Sequence, residues 1–229
     1  SAVACARPDV YSWNDIFRDA SWFHFTGITP AISDSAAAAT MDAAQSAKAA
    51  GATVSCDLNY RKKLWSREKV MGALMPYVDI LIANEEDTAD VFGIRAESTD
   101  ITRGIIDTAG YESVARQLCE RFGFSKVAIT LRESISASRN GWSAMLFGDG
   151  GAIRSKRYDI QIVDRVGGGD SFAAGLIYGL ATGMTDPDAL EFAVAASCLK
   201  HTVEGDFNLI SRDEVLTLVG GDGSGRVQR

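Results

Sequence analysis

Histidine, cysteine and proline are scarce in this sequence, at 2, 4 and 4 residues in 229. The four cysteines (Cys5, Cys56, Cys119 and Cys198) are scattered, with no Cys-x-x-Cys pair and no histidine at zinc spacing. That pattern excludes a structural zinc centre or a disulfide framework and reads as reduced thiols, the expectation for a cytoplasmic protein. Long apolar runs are also missing: none approaches the roughly 18–20 residues that a membrane-spanning helix requires, so no membrane is expected as a partner. The opening Ser1-Ala-Val-Ala-Cys-Ala-Arg-Pro8 has no long apolar core behind a basic segment and does not read as a signal peptide. Basic residues are in deficit, 23 against 30 acidic, for a formal net charge of −7. This argues against nucleic acid as a partner, so any phosphate must be handled by a local arrangement rather than by the global field.

A hydrophobic content of 46% over this length suits one large α/β domain or two small ones. The aromatic, β-branched stretch Trp22–Ile28 predicts a strand. Ser33-Asp-Ser opens an alanine-rich helix that runs to about Ala50 and stops at Gly51. Strands are expected at Ala52–Asn59, Val78–Ala83 and Lys126–Leu131, with helices from about Ser66, over Glu85–Phe92 and over Tyr111–Phe122 between them. Residues 94–110 carry little pattern and read as a surface insertion. Such alternation predicts a mostly parallel sheet with helices on both faces. Ser143–Gly148 and Ala152–Tyr158, joined by Asp149-Gly-Gly151, read as an appended hairpin. Three helices follow: one from the glycine run 167–169, one with Asp186 as cap before Pro187, and one opening with the capping box Ser211-Arg-Asp-Glu214. The glycine-rich end, 220–229, reads as a flexible tail.

Chemistry concentrates in Asp164-Arg-Val-Gly167-Gly168-Gly169-Asp170-Ser-Phe-Ala-Ala-Gly175. Three glycines ahead of a helix let backbone N–H groups converge on one point, where the helix end adds partial positive charge. Such a cradle suits a transferring phosphate. Asp170, in the first turn, either caps the helix or accepts a proton from an attacking hydroxyl. It is neither a dinucleotide fingerprint nor a Walker loop, because no Gly-Lys-Ser/Thr follows. Elsewhere, Arg61-Lys62-Lys63 reads either as a solvated basic loop or as an anion site, and Glu85-Glu86-Asp87 as a favourable helix start. His24 and His201 have no nucleophile or metal partner nearby in sequence and read as structural, and Trp13, Trp22, Trp65 and Trp142 as packing residues.

The run Asp-x-x-Gly-Gly-Gly-Asp-Ser-Phe-x-x-Gly resembles the second signature of the ribokinase-like (PfkB-type) carbohydrate kinases. Asp57-Leu-Asn59-Tyr-Arg61, Asn84-Glu-Glu-Asp87 and Thr130-Leu-Arg-Glu-Ser134 occur in that family's order. Phe-Thr-Gly-Ile-Thr-Pro, Asp-Leu-Asn-Tyr-Arg-Lys-Lys-Leu-Trp and Gly205-Asp206-Phe-Asn208 are similar to the 2-keto-3-deoxygluconate kinase branch.

The resemblance implies an ATP-dependent kinase acting on a keto sugar acid, with Mg²⁺ as cofactor. Asp170 would be the catalytic base, and Gly167, Gly168 and Gly169 the anion hole. Arg61, Asp206, Asp57 and Asn59 would bind the sugar acid. Thr130, Arg132 and Ser134 would lie along the nucleotide, and Asn84 and Asp87 would orient Mg²⁺ through water. It further implies a ribokinase-like fold lacking the N-terminal strands and β lid. Residues 1–219 would then be the C-terminal two-thirds of a kinase domain, with little activity alone. Alternatives are a fructokinase-type enzyme or a non-catalytic nucleotide-binding remnant; homo-oligomers are compatible with either.

Overall fold

A computed structural model describes residues 1–61, 68–84, 86–94 and 108–221. Lys62, Lys63, Trp65, the expected helix start at Ser66, Glu85, most of the 94–110 stretch and the tail past 221 lie outside the described residues. By contact, the described chain divides into two compact units. One gathers residues 1–94, 108–129 and 147–150; the other gathers 130–146 and 151–221.

The first unit opens with the short helices α1 (Ala2–Cys5) and α2 (Trp13–Ile16) and the strand β1 (Trp22–Thr26). A file of rings runs along them: Tyr11 on Trp13, Trp13 on Phe17, Phe17 edge-on to Phe23, and Phe23 on Phe25, with centroids 4.7–5.8 Å apart. Offset and edge contacts of this kind favour burial of flat apolar surface, so Trp13 packs as expected. Ile28, read as the end of the first strand, instead starts α3 (Ile28–Ile32).

Helix α4 (Asp34–Ala49) begins where the sequence predicts. The Ser33 hydroxyl accepts the Ala36 N–H at 3.0 Å, and Gly51 past the far end sits at φ +80°. Its buried face, Ala36, Ala37, Thr40, Ala43, Ala44 and Ala47, repeats at helical spacing with small side chains, which lets the helix lie close on β1 and β2 (Thr53–Asp57). After α5 (Glu68–Leu74) come β3 (Ile80–Asn84), α6 (Asp87–Phe92), α7 (Thr108–Phe122) and β4 (Lys126–Ser134). Strand order in this unit is β1-β2-β3-β4, with β1–β2 and β2–β3 parallel. At the amino ends Asp79 ties the layers together. Its carboxylate accepts from Lys48 Nζ (2.6 Å) and the Val54 N–H (2.9 Å), and its carbonyl accepts from the Ser125 N–H (2.8 Å).

In the second unit β4 continues beside β5 (Arg139–Gly148), which is followed by β6 (Gly151–Arg154). The second arm of the expected hairpin is divided: Tyr158 belongs to a separate strand, β7 (Tyr158–Gln161), paired antiparallel with β5. The turn at Ser155 divides them, its hydroxyl accepting the Ala144 N–H at 2.9 Å. Three helices complete the unit: α8 (Gly168–Ala181), α9 (Asp186–Lys200) and α10 (Arg212–Gly220). The cap of α9 is Thr185 rather than Asp186: the Thr185 hydroxyl accepts the Asp188 N–H, which leaves Pro187 in the first turn. The capping box on α10 forms as read, reciprocally between Ser211 and Glu214. Helices α8 and α9 meet through glycine. A methyl group added at Gly175 would lie 2.8 Å from Ala193 Cα, and one at Gly179 would lie 2.7 Å from Ala189 Cβ. No helix among the described residues is long and apolar enough to cross a membrane.

Candidate functional site

The carboxyl ends of parallel strands expose backbone turns where side chains can converge, and the first unit places five of the expected residues there. Asp57 is the last residue of β2, and its Oδ1 accepts the N–H of Asn59 at 3.2 Å. That bond closes a tight turn with Asn59 in the left-handed region at φ 41°, a conformation asparagine tolerates better than most residues. Asn59 Nδ2 then donates to Thr26 Oγ1 at 3.3 Å, joining the ends of β1 and β2. Arg61 follows, exposed, donating only to the neighbouring Tyr60 carbonyl at 3.3 Å among the described residues.

At the end of β3, Asn84 Oδ1 accepts the N–H groups of Glu86 and Asp87, both at 2.8 Å. Asp87 is 4% exposed. Burial pushes its carboxyl up to about 6; hydrogen bonds from Asn84 and Tyr60 and the charge of Arg61 oppose the rise. Asp87 therefore links the turn after β2 to the turn after β3. Among the described residues no cluster of three metal-ligating side chains forms.

The second unit holds the glycine turn. Gly167 caps α8 in the left-handed region, φ 76°, where any Cβ would also lie 2.7 Å from the Asp206 carbonyl and 3.4 Å from its Oδ1. Gly168 lies on the His201 ring, with a Cβ position 2.6 Å from Cε1. Its N–H donates to the Arg165 carbonyl at 3.3 Å, and its own carbonyl accepts from Ser197 Oγ at 2.8 Å. Gly169 has nothing within 4 Å of its Cβ position, so its face is open. As the second and third residues of α8, Gly169 and Asp170 have N–H groups with no carbonyl of their own helix to bond. The Asp170 side chain is exposed beside them. The sequence-derived cradle is thus uneven, closed and packed at Gly168 and open at Gly169 and Asp170.

Behind the turn stands His201, whose sequence position marks it only as structural. His201 is 5% exposed; its Nδ1–H donates to the Ser197 carbonyl at 2.7 Å, which leaves Nε2 as the lone-pair nitrogen. Burial holds its pKa below the ordinary value, and the charges of Lys200, Arg165 and Arg132 add to that depression, against the bond to Ser197. Three cationic side chains therefore act on the residue under Gly168, in a chain whose net charge is negative. Asp164, which opens the motif, accepts the N–H groups of Val166 (3.0 Å) and Gly205 (2.9 Å), and these bonds hold its carboxyl below the usual range. Asn208 Nδ2 donates to Ser171 Oγ at 2.8 Å, fixing the far side of the 205–208 loop on α8. On β4, Thr130 is buried, while Arg132 and Ser134 are exposed. The cations could have been suspected from sequence, since Arg165 stands inside the motif and Lys200 and His201 end a helix. Their convergence depends on the pairing of α8 with α9, which no local pattern encodes.

Residues 6–211 match the pattern of the pfkB family carbohydrate kinases. The chain is 34% identical over 226 residues to 2-dehydro-3-deoxygalactonokinase of Haloferax volcanii, covering 97% of this chain and 64% of that protein. The crystal structure of 2-dehydro-3-deoxygluconokinase from Thermotoga maritima superimposes with a TM-score of 0.90 at 46% identity, over 96% of this chain and 66% of that one. A fructokinase from Xylella fastidiosa solved with bound ATP shares the fold, with a TM-score of 0.73 at 20% identity over 94% of this chain and 66% of that one. The chain thus spans just under two-thirds of the length of these relatives.

Proposed function

Because the chain belongs to the pfkB family of carbohydrate kinases, we propose that it serves ATP-dependent phosphorylation of a hydroxyl on a 2-keto-3-deoxy sugar acid. The observation that carries this reading is the start of α8. Two amides with no bonded partner among the described residues, Gly169 and Asp170, stand at a helix N-terminus beside a carboxylate, and the stem of the Lys200 cation packs against the turn at Gly167. A donor site of this kind suits a group that carries negative charge during transfer. The names of the relatives, kinases of 2-dehydro-3-deoxy sugar acids, support the substrate class.

In this reaction Asp170 accepts the proton of the sugar hydroxyl as its oxygen attacks the γ-phosphorus of ATP. The bond from that phosphorus to the bridging oxygen breaks, and ADP leaves. The amides of the 167–169 turn and of Asp170 stabilise the charge on the transferring group. Arg61 presents a planar guanidinium, whose geometry matches a carboxylate, and so selects the acid end of the substrate. Asp57, Asn59 and Asp206 bind the sugar hydroxyls, and Thr130, Arg132 and Ser134 line the nucleotide. Asn84 and Asp87 fit Mg²⁺ only through water. Asn84 Oδ1 already accepts two N–H groups, and the Asp87 carboxylate is buried among its own donors. Bound in that outer position, Mg²⁺ would neutralise charge on the phosphates.

The test measures ATP·Mg²⁺ binding by calorimetry and turnover of 2-keto-3-deoxygluconate in an ADP-coupled assay. The chain alone is expected to turn over slowly, and Asp170→Asn to keep nucleotide affinity and lower that residual turnover by about a hundredfold or more, the range for a positioned general base. Arg61→Ala is expected to weaken the sugar acid far more than a neutral keto sugar. Undiminished turnover in Asp170→Asn, or no ATP binding by the wild-type chain, overturns the reading.

A further inference from the structure

Lys200 is 0% exposed and ranks among the largest fully buried side chains of the protein. Removing an ammonium group from water is costly, and such a group is normally found buried only with a paired charge or a full set of acceptors. Among the described residues no carboxylate lies within ion-pairing distance of Nζ. Instead it donates to two backbone carbonyls, Val203 at 3.2 Å and Gly205 at 2.8 Å. A methionine would fill the same volume without the desolvation cost, so the charge itself calls for an explanation.

The surroundings supply one. The Lys200 stem passes under the glycine turn, its Cε 3.3 Å from the Cβ position of Gly167. Its head group holds the Gly205 carbonyl, while Asp164 Oδ2 holds the Gly205 N–H. Gly205 is itself in the left-handed region, φ 85°, so these two opposite charges pin a bend that few residues would adopt unaided. The next residue is Asp206, whose carbonyl and carboxylate abut Gly167. One buried cation thus touches both halves of the arrangement, the turn that presents amides and the loop that presents Asp206.

We propose that Lys200 is a positioning residue for phosphate binding, an internal cation that fixes the 203–206 loop against Gly167 and so sets the direction of the amides that follow. The inference rests on the kinase reading above, and the experiment separates the two. ATP·Mg²⁺ affinity and melting temperature are measured for the 229-residue chain and for Lys200→Met and Lys200→Ala, with and without ethylammonium chloride and with sodium chloride as the ionic-strength control. Lys200→Met keeps the stem and removes only the charge; it is expected to fold and to bind ATP about ten- to a hundredfold more weakly, the range for losing hydrogen bonds to a charged group. Ethylammonium, which replaces the missing head group, is expected to restore binding to Lys200→Ala but not to Lys200→Met, where the space is filled. ATP affinity in folded Lys200→Met equal to wild type overturns the inference and leaves the kinase reading standing. So does ethylammonium that raises the melting temperature of Lys200→Ala without recovering ATP binding. Absence of ATP binding in the wild-type chain overturns the kinase reading and the inference with it.

Discussion

Gly168→Ala probes how tightly the glycine turn is seated. The added methyl carbon would lie 2.6 Å from His201 Cε1 and 2.8 Å from Nε2, whereas carbon contacts are comfortable at about 3.5 Å, so the ring or the turn must retreat by about 1 Å. The ring cannot swing away freely. Its Nδ1–H is bonded to Ser197, and the ring packs at a tilt of 56° against Trp142, with centroids 5.0 Å apart. Overpacking of this size costs about 1–3 kcal/mol, and the gain in helix propensity from glycine to alanine returns at most about 1 kcal/mol. A net loss of about 1–2 kcal/mol should lower the melting temperature by a few degrees in a chain of this length. His201→Ala alone leaves a cavity and is also destabilising, but it removes the obstacle. The double variant should therefore be less destabilised than the sum of the singles by about 1 kcal/mol or more, measured by urea unfolding with unchanged m-values. Additivity within about 0.5 kcal/mol would refute the packing argument, since it would mean that the methyl group and the ring never meet.

Two further outcomes are expected. Ser211→Ala should cost about 1 kcal/mol at neutral pH by opening the capping box on α10. Because the Ser211 donors hold the Glu214 carboxyl below its ordinary range, the box should be fully effective above the usual glutamate range and weaken in acid, so the wild-type advantage in urea melts should shrink as pH falls. Asp87 behaves in the opposite sense. Burial lifts its carboxyl to about 6, so the folded state holds the proton more tightly than the unfolded chain, and its penalty is absent below about pH 4 and complete above pH 6. In metal-free buffer, the stability of Asp87→Asn relative to wild type should rise across that window, by up to about 3 kcal/mol; a flat difference would show that Asp87 is solvated.

Much of the architecture is legible residue by residue. Ser33 and Ser211 announce helix starts because a hydroxyl meeting the third amide onward is a local interaction. The alternation of strand and helix carries the parallel order as far as β3. The family's signature and blocks mark Asp170, Arg61, Asn84 and Asp87 as candidates. What the residues do not announce depends on partners far along the chain. Asp186-Pro187 looks like cap and first turn, yet Thr185 takes the cap because its extended backbone aims the hydroxyl at Asp188. The strand β7 is four residues long, and its alternation of buried Tyr158 and Ile160 with exposed Asp159 and Gln161 gains meaning only beside β5. Lys200 and His201 read as the ordinary polar end of a helix. They become floor and support of the turn because Ser197, three or four residues before them, is bonded to Gly168.

The seam between α8 and α9 has an evolutionary corollary. Contacts run from Gly168 with Ser197 and His201, through Gly175 with Ala193, to Gly179 with Ala189, so the two helices lie antiparallel with almost no side-chain padding between them. Relatives that share this seam can vary on its outer surfaces but not along it. A larger residue on one helix would demand a simultaneous trim on the other, and drift at these positions should come in matched pairs.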